Sequence, residues 1–363
     1  MAVKLSIITS YQEFKTISFA WEQLRRQLND SAFSNSWSWL NTWLEFFQRS
    51  KDQLHIHIWH DEDELVGLIP CYLKSTLAGK ELRFIGTGEP QQSEVCSEFQ
   101  DFLIQSQYKD IILAQFSLSI VENKKISAII FEQILTTSMA YQWLESVKLL
   151  GKNKVIRHIG SRYLIPLVAG QDHQVSLFRS KNIKRHAKKI VADSDWHVNM
   201  VNDEKALAKF FSKLVTQHNH AWQQRGEVGA FENTLFTDFH RAFSQKLLKK
   251  KALIAFEISH KNEFAALFYG IVDGDTLYYY QSAVNNNSKL SSAGVAMHLV
   301  ALEFARENNF AYYDLMKGGS DSYKNQYLTS GLAVVSLESS TKIYRLIIML
   351  IRCYKKIFGE RLW

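Results

Sequence analysis

The chain has 363 residues, 46% apolar and 22% charged, a balance that excludes a disordered or fibrous protein and supplies apolar surface for about two hydrophobic cores. Its net charge of +7 suits a partner carrying phosphates or an anionic surface. Cys71, Cys96 and Cys353 show no CxxC spacing and no even count, which argues against a disulfide framework or a structural zinc site and for a reducing compartment. The opening MAVKLSIITSYQEF lacks the sustained apolar run of an export signal, so a cytoplasmic location is expected.

In chain order, apolar residues at three- and four-residue spacing predict helices over 14–29 and 37–48, the second capped by Ser36, and a helical region over 126–150. The same period marks 206–224, 235–248 and 293–307, with strands over 252–259, 264–272, 276–284 and 311–316. HDEDELVGLI (60–69) and SHKNEFAALF (259–268) share a charged turn followed by apolar positions, and LAGKELRFIG (77–86) stands to VDGDTLYYYQ (272–281) at nearly the same offset. Each pair reads as hairpins. A duplicated α/β domain accounts for them, although two unrelated hairpin pairs would look the same. The expected division is 1–170, 171–335 and a basic amphipathic tail, 336–363.

Chemistry concentrates in the second half. The aromatic strand LYYYQSAV runs into a polar loop, and Ser291, Ser292, Ala293 and Gly294 open an amphipathic helix. Such a helix start exposes unpaired N–H groups where the macrodipole favours negative charge, and small residues let phosphate oxygens approach the amides. Plain N-capping by Ser291 or Ser292 accounts for the same residues. Downstream, YYDLMKGGSDSYKNQY joins a strand ending in Asp314 to Gly318, Gly319, Tyr323 and Lys324.

The order of strand, loop, Ser-Ser-Ala-Gly-Val-Ala, helix and strand resembles the acyl-CoA site of the GNAT acyltransferase superfamily. Gly294 and Ala296 match the last fixed positions of its Gln/Arg-x-x-Gly-x-Gly/Ala phosphate loop, while Ser291 replaces the Gln or Arg. That departure resembles the CelD/BcsL-like acetyltransferases of cellulose and exopolysaccharide clusters, and is more distantly similar to the FemABX aminoacyltransferases. WSWLNTWLEFF, ELVGLIPCYL, LFRSKNIKRHAKKI and HNHAWQQRGEVGAF carry the likeness from about Trp37 to Tyr327.

The resemblance implies a fold of α/β (α+β) class with tandem GNAT-like domains, each a mixed, mostly antiparallel sheet flanked by helices, the first degenerate and the second catalytic. It implies transfer from acetyl-CoA or another acyl-CoA, without a metal, to a saccharide or envelope-precursor acceptor. Ser282, Val284, Ser291, Ser292, Ala293, Gly294 and Ala296 would hold the donor, with Tyr323 as acid, Lys324 stabilising an oxyanion and Asp314 beside them. Trp222, Arg225, Gly318 and Gly319 would face the acceptor, an aromatic face suiting a sugar and a guanidinium an anion. Two alternatives stand: aminoacyl transfer from aminoacyl-tRNA to a peptidoglycan precursor, and a non-catalytic GNAT-like binding or membrane-scaffolding module. DNA is not an expected partner.

The stretch 341–358 carries a broad apolar surface beside Lys342, Arg345, Arg352 and Lys356. It is too short in its uncharged part to span a bilayer and suits either the inner surface of the cytoplasmic membrane or packing on the body through Ile343, Leu346, Ile347 and Leu350.

Overall fold

Ser36 begins the first long helix as its sequence predicts: the hydroxyl accepts the Trp39 N–H at 3.2 Å, and Trp39, Leu40, Trp43 and Leu44 bury one face. The structure is a computed structural model and describes residues 3–28, 31–148, 154–167, 174–285 and 292–358. The chain packs as two units, Met1–Glu89 with Val95–Ile159 and Ala333–Trp363, and Pro90–Glu94 with Gly160–Leu332.

The first unit holds β1 (Lys4–Ile8), α1 (Tyr11–Thr16), α2 (Ser18–Gln27), α3 (Trp37–Phe47), β2 (Gln53–Leu54), β3 (Ile56–Asp61), β4 (Glu64–Ile69), β5 (Cys71–Thr76), β6 (Gly79–Phe84), β7 (Leu103–Ile104), α4 (Lys109–Glu122), β8 (Ile126–Leu135) and α5 (Met139–Ser146). Strand β9 (Lys154–Pro166) carries the chain into the second unit. There follow α6 (Lys181–Val191), β10 (Trp196–Met200), α7 (Glu204–Gln223), α8 (Thr234–Lys249), β11 (Leu253–His260), β12 (Glu263–Asp273), β13 (Thr276–Val284), α9 (Ala293–Glu307) and β14 (Tyr312–Gly318). Strand β15 (Ser330–Ser340) returns to the first unit, where α10 (Lys342–Phe358) ends the described chain.

The two units share one pairing logic. In the first, β1, β3 and β4 run antiparallel, β5 pairs antiparallel with β6, β6 parallel with β8, and β8 antiparallel with β15. In the second, β10 to β13 run antiparallel, β13 pairs parallel with β14, and β14 antiparallel with β9. Each parallel pair is joined across a helix, α4 or α9, because parallel strands cannot be linked by a tight turn. The four repeat segments are hairpins, β3–β4 and β11–β12, β5–β6 and β12–β13. The expected architecture of mostly antiparallel sheets flanked by helices therefore holds. Each unit has its own core, one built on Trp59, Phe84, Phe116, Phe131 and Trp143, the other on Phe256, Phe268, Tyr313, Leu299 and Leu302.

Three expectations need correction. Residues 126–150 are not one helix: ISAIIFEQIL is β8, whose near-continuous apolar run is buried on both faces as parallel-paired strands are, and only Met139–Ser146 is helical. The units divide at Ile159/Gly160 and Leu332/Ala333, within strands, rather than at 170 and 335, so no linker composition marks the boundary. Residues from 336 onward are not a separate tail, since Val335, Leu337 and Tyr344 enter cores of the first unit.

Candidate active site

Strand β13 is paired with β12 as far as Val284 but with β14 only over Thr276–Tyr278 against Tyr312–Asp314. From Tyr279 onward one edge of β13 is open, and its peptide groups face a gap in the sheet. Asp314 sits where the two strands part. It is fully buried, accepts the Met316 N–H at 2.7 Å and pairs with the Arg162 guanidinium at 2.7 Å. Met316 takes a φ of +63°, and the register of β14 on β9 shifts between Asp314 and Lys317. The carboxylate thus holds a bulge that bends β14 away.

The gap opens into a cavity of about 510 Å³ lined by β13 residues Tyr279, Gln281, Ser282, Ala283 and Val284 and by Gly294, Val295, Met297 and His298 of α9. His218, Trp222 and Arg225, at the end of α7, close another side, and Tyr323, Gln326 and Tyr327 the last. Asp203 caps α7 by accepting the Ala206 N–H at 2.7 Å, and the helix carries His218 and Trp222 one turn apart on the same face. The Trp222 indole donates to His218 Nε2 at 3.0 Å, and Arg225 lies 5.5 Å from the indole ring.

A hydrogen-bonded chain backs this cavity. Tyr313 and His298 Nδ1 are 2.7 Å apart, His298 Nε2 and the Tyr323 hydroxyl 3.2 Å, and Tyr323 is bonded in turn to Tyr279, whose hydroxyl is 2.5 Å from Ser282 Oγ. Burial pushes His298 down to about 3, with Lys324 adding to the effect, so the imidazole is neutral. Tyr323 is 43% exposed along its ring, yet burial of its hydroxyl end, with Tyr279 beside it, pushes its ionisation well above the usual phenol range. The hydroxyl therefore stays protonated. Burial also lowers His218 to about 4.

Several expected site residues gather here: Trp222, Arg225, Ser282, Val284, Gly294 and Tyr323 all line the cavity. Others do not. Lys324 is turned aside, its Nζ donating to the Lys317 carbonyl at 2.6 Å, and Asp314 is committed to Arg162 and the bulge. Gly318 and Gly319 form the turn that delivers Tyr323, the Gly319 carbonyl accepting the Tyr163 hydroxyl at 3.0 Å. Ala293 and Ala296 are buried, and Ala296 faces a separate apolar groove against Ile190 and Trp196. Ser292 occupies the N-cap of α9 without a side-chain cap bond, and Ser291 lies outside the described residues. Sequence reasoning missed His298, His218, Tyr279, Gln281 and Tyr327. One helical turn separates His298 from Gly294, and four residues separate His218 from Trp222, so helical spacing alone could have found both histidines. Elsewhere in the unit, ligand atoms of Asp193, Asp195 and His260 lie within 4.8 Å of one another, but Asp193 is bonded to His260 at 2.9 Å and Asp195 pairs with Lys261 at 3.7 Å.

Residues 178–325, most of the second unit, match the family model described as an acetyltransferase (GNAT) domain. This unit therefore carries a GNAT-type acetyltransferase domain. The whole chain shares its fold with FemX, with a TM-score of 0.64 at 12% identity over 96% of this chain and 99% of that one. L-PGS from Bacillus licheniformis aligns at TM-score 0.52 and 10% identity, covering 97% of this chain and 98% of the other. The C-terminal domain of a putative lysylphosphatidylglycerol synthetase from Agrobacterium fabrum aligns at 0.52 and 9%, covering 96% and 99%. No curated protein matches the chain by sequence.

Proposed function

We propose that the second unit transfers an acyl group, most simply acetyl from acetyl-CoA, to a hydroxyl or amine of a saccharide or envelope precursor, as in the CelD/BcsL-like enzymes. The observation that carries the reading is the open edge of β13 from Tyr279 to Val284, facing the N-terminus of α9 and a protonated tyrosine. The residues fit an acyl-CoA. Among the described residues a Cβ on Gly294 would meet nothing nearer than Val284 Cγ2 at 4.0 Å, and Ser292 makes no side-chain cap bond, so the first turn of α9 offers room and N–H donors to a ligand. The Ser282 N–H donates to its neighbour's Gln281 Oε1 at 3.1 Å, an internal contact that a thioester carbonyl would replace.

The donor supplies an activated acyl carbon and a thiolate leaving group. The β13 amides polarise the carbonyl, and the N-terminal turn of α9 holds the pyrophosphate. As the acceptor oxygen or nitrogen bonds to the acyl carbon and the carbon–sulfur bond breaks, Tyr323 gives its proton to the sulfur. Tyr323 recovers a proton from the acceptor oxygen or nitrogen, so the thiol gains one proton and the acceptor loses one, while neutral His298, hydrogen-bonded behind it, holds the phenol in place. Beside the donor cavity, and sharing His218, Trp222 and Gln281 with it, a second cavity of about 480 Å³ is lined by Gln91, Gln92, Glu94, Gly229, Glu232 and Asn233. Its side-chain amides, carboxylates and indole edge suit the hydroxyls and amines of a sugar.

Calorimetric titration of the full chain with CoA tests the donor. Saturable binding that is lost in Gly294→Trp is expected, and no binding at millimolar ligand would overturn the reading. The second reading is an aminoacyl donor on tRNA. It is favoured by α6, whose sequence carries Lys184, Arg185, Lys188 and Lys189 and no acidic residue, a helix suited to a phosphate backbone. Aminoacyl-tRNA consumption with no CoA binding would select it. Binding of CoA without turnover of any acceptor would leave a non-catalytic module.

A further inference from the structure

Helix α10 is attached to the first unit by one side only. Tyr344 packs with Ala78, Ala128 and Ile130, Ile347 and Ile348 lie alongside, and the Tyr344 hydroxyl donates to Glu81 at 2.7 Å. Of the face expected to pack on the body, Ile347 does so, while Ile343, Leu346 and Leu350, joined by Met349, are turned outward, at 71%, 54%, 56% and 53% exposed. At 100° per residue these outward side chains, with Cys353, fall on one continuous arc; Arg352 and Lys356 follow along one border and Lys342 stands within the arc at its N-terminal end, all exposed. No acidic residue occurs between 341 and 358.

Exposed large apolar side chains in such a row mark a binding surface, and the charge beside them selects what binds. A second copy of the same face would bring one row of cations close to another with no carboxylate in either helix to pair with. Anionic lipid phosphates complement the row. The helix carries too many cations to cross a bilayer, and among the described residues no helix is long and apolar enough to do so. We infer that α10 docks this protein on an anionic membrane surface. It lies in the plane of the interface, with Ile343, Leu346, Met349 and Leu350 at the acyl boundary and Lys342, Arg352 and Lys356 against headgroup phosphates.

Co-sedimentation of the full chain with phosphatidylcholine vesicles, with and without phosphatidylglycerol, tests this. Binding to the anionic vesicles that falls with added salt is expected. Lys342→Gln with Arg352→Gln should weaken partitioning about thirtyfold, the equivalent of two cations at about 1 kcal/mol each. Leu346→Asp with Leu350→Asp should abolish it, with circular dichroism unchanged because both positions are exposed. A dye on Cys353 should shift to the blue on anionic vesicles alone. No vesicle binding, equal binding to neutral vesicles, or binding indifferent to the Leu346/Leu350 pair would overturn the inference. So would a dimer in sedimentation velocity that the same pair dissolves, which would give the face to a second copy.

Discussion

Tyr323 and Asp314 lie in one short stretch of sequence and do different work. Tyr323 reaches the cavity with a hydroxyl that burial keeps protonated, so Tyr323→Phe is expected to slow acetyl-CoA hydrolysis by about 10²-fold or more while leaving CoA affinity within about twofold. An unchanged rate, measured with radiolabelled donor, would remove Tyr323 from the reaction. Asp314 shapes the backbone instead. Removing its partner in Arg162→Ala strands a buried carboxylate, which should cost about 3–5 kcal/mol in urea unfolding. Asp314→Asn, which keeps an acceptor for the Met316 N–H, should cost less than the loss of Arg162.

At the scale of elements, two helix starts that look alike in sequence differ in space. The Ser36 hydroxyl caps α3 by accepting the Trp39 N–H, whereas Ser292 makes no side-chain cap on α9. Ser36→Ala should therefore lower stability by about 1 kcal/mol, and Ser292→Ala by less than about 0.5 kcal/mol, in parallel chemical denaturations. Equal losses would mean that the α9 amides are capped and not open to a ligand. Strand β9 imposes a stricter demand. Gly160 holds a φ of +137°, and a Cβ there would stand 2.5 Å from the Gly318 carbonyl oxygen, so Gly160→Ala should be destabilising by more than about 2 kcal/mol. A smaller loss would show that the β9–β14 pair can separate without penalty.

At the scale of the whole molecule, five buried imidazoles among the described residues set the response to acid. Burial lowers His57, His240 and His298 to about 3, and His55 and His218 to about 4, all below the unfolded value near 6.5. In this window the unfolded chain binds more protons than the folded one, so stability is full above about pH 6.5 and falls as pH drops toward 4. Each imidazole that stays neutral at pH 5 costs up to about 2 kcal/mol. The melting temperature should fall steeply from pH 7 to pH 5, where most carboxylates remain ionised. A flat profile would mean that these rings are hydrated or charged in the folded state.

The grouping of Gly294, Ser282 and Tyr323 came from the resemblance to GNAT acyltransferases, whereas local pattern by itself determined the hairpins, the helices α3, α7, α8 and α9, and the stretch Thr276–Val284. Those features rest on periodicity, capping and turn residues, which act between near neighbours in the chain. Only the tertiary structure decided the rest. It gave ISAIIFEQIL to a strand, because burial on both faces erases the alternation that separates strand from helix. It placed unit boundaries inside β9 and β15, where nothing in composition changes. It turned Ile343, Leu346 and Leu350 outward, since a helix with apolar residues on two sides does not say which one its unit will cover. And it joined His298 to Tyr323, 25 residues apart, because a hydrogen bond between helix α9 and the turn after β14 depends on how the strand between them is packed and leaves no spacing to read.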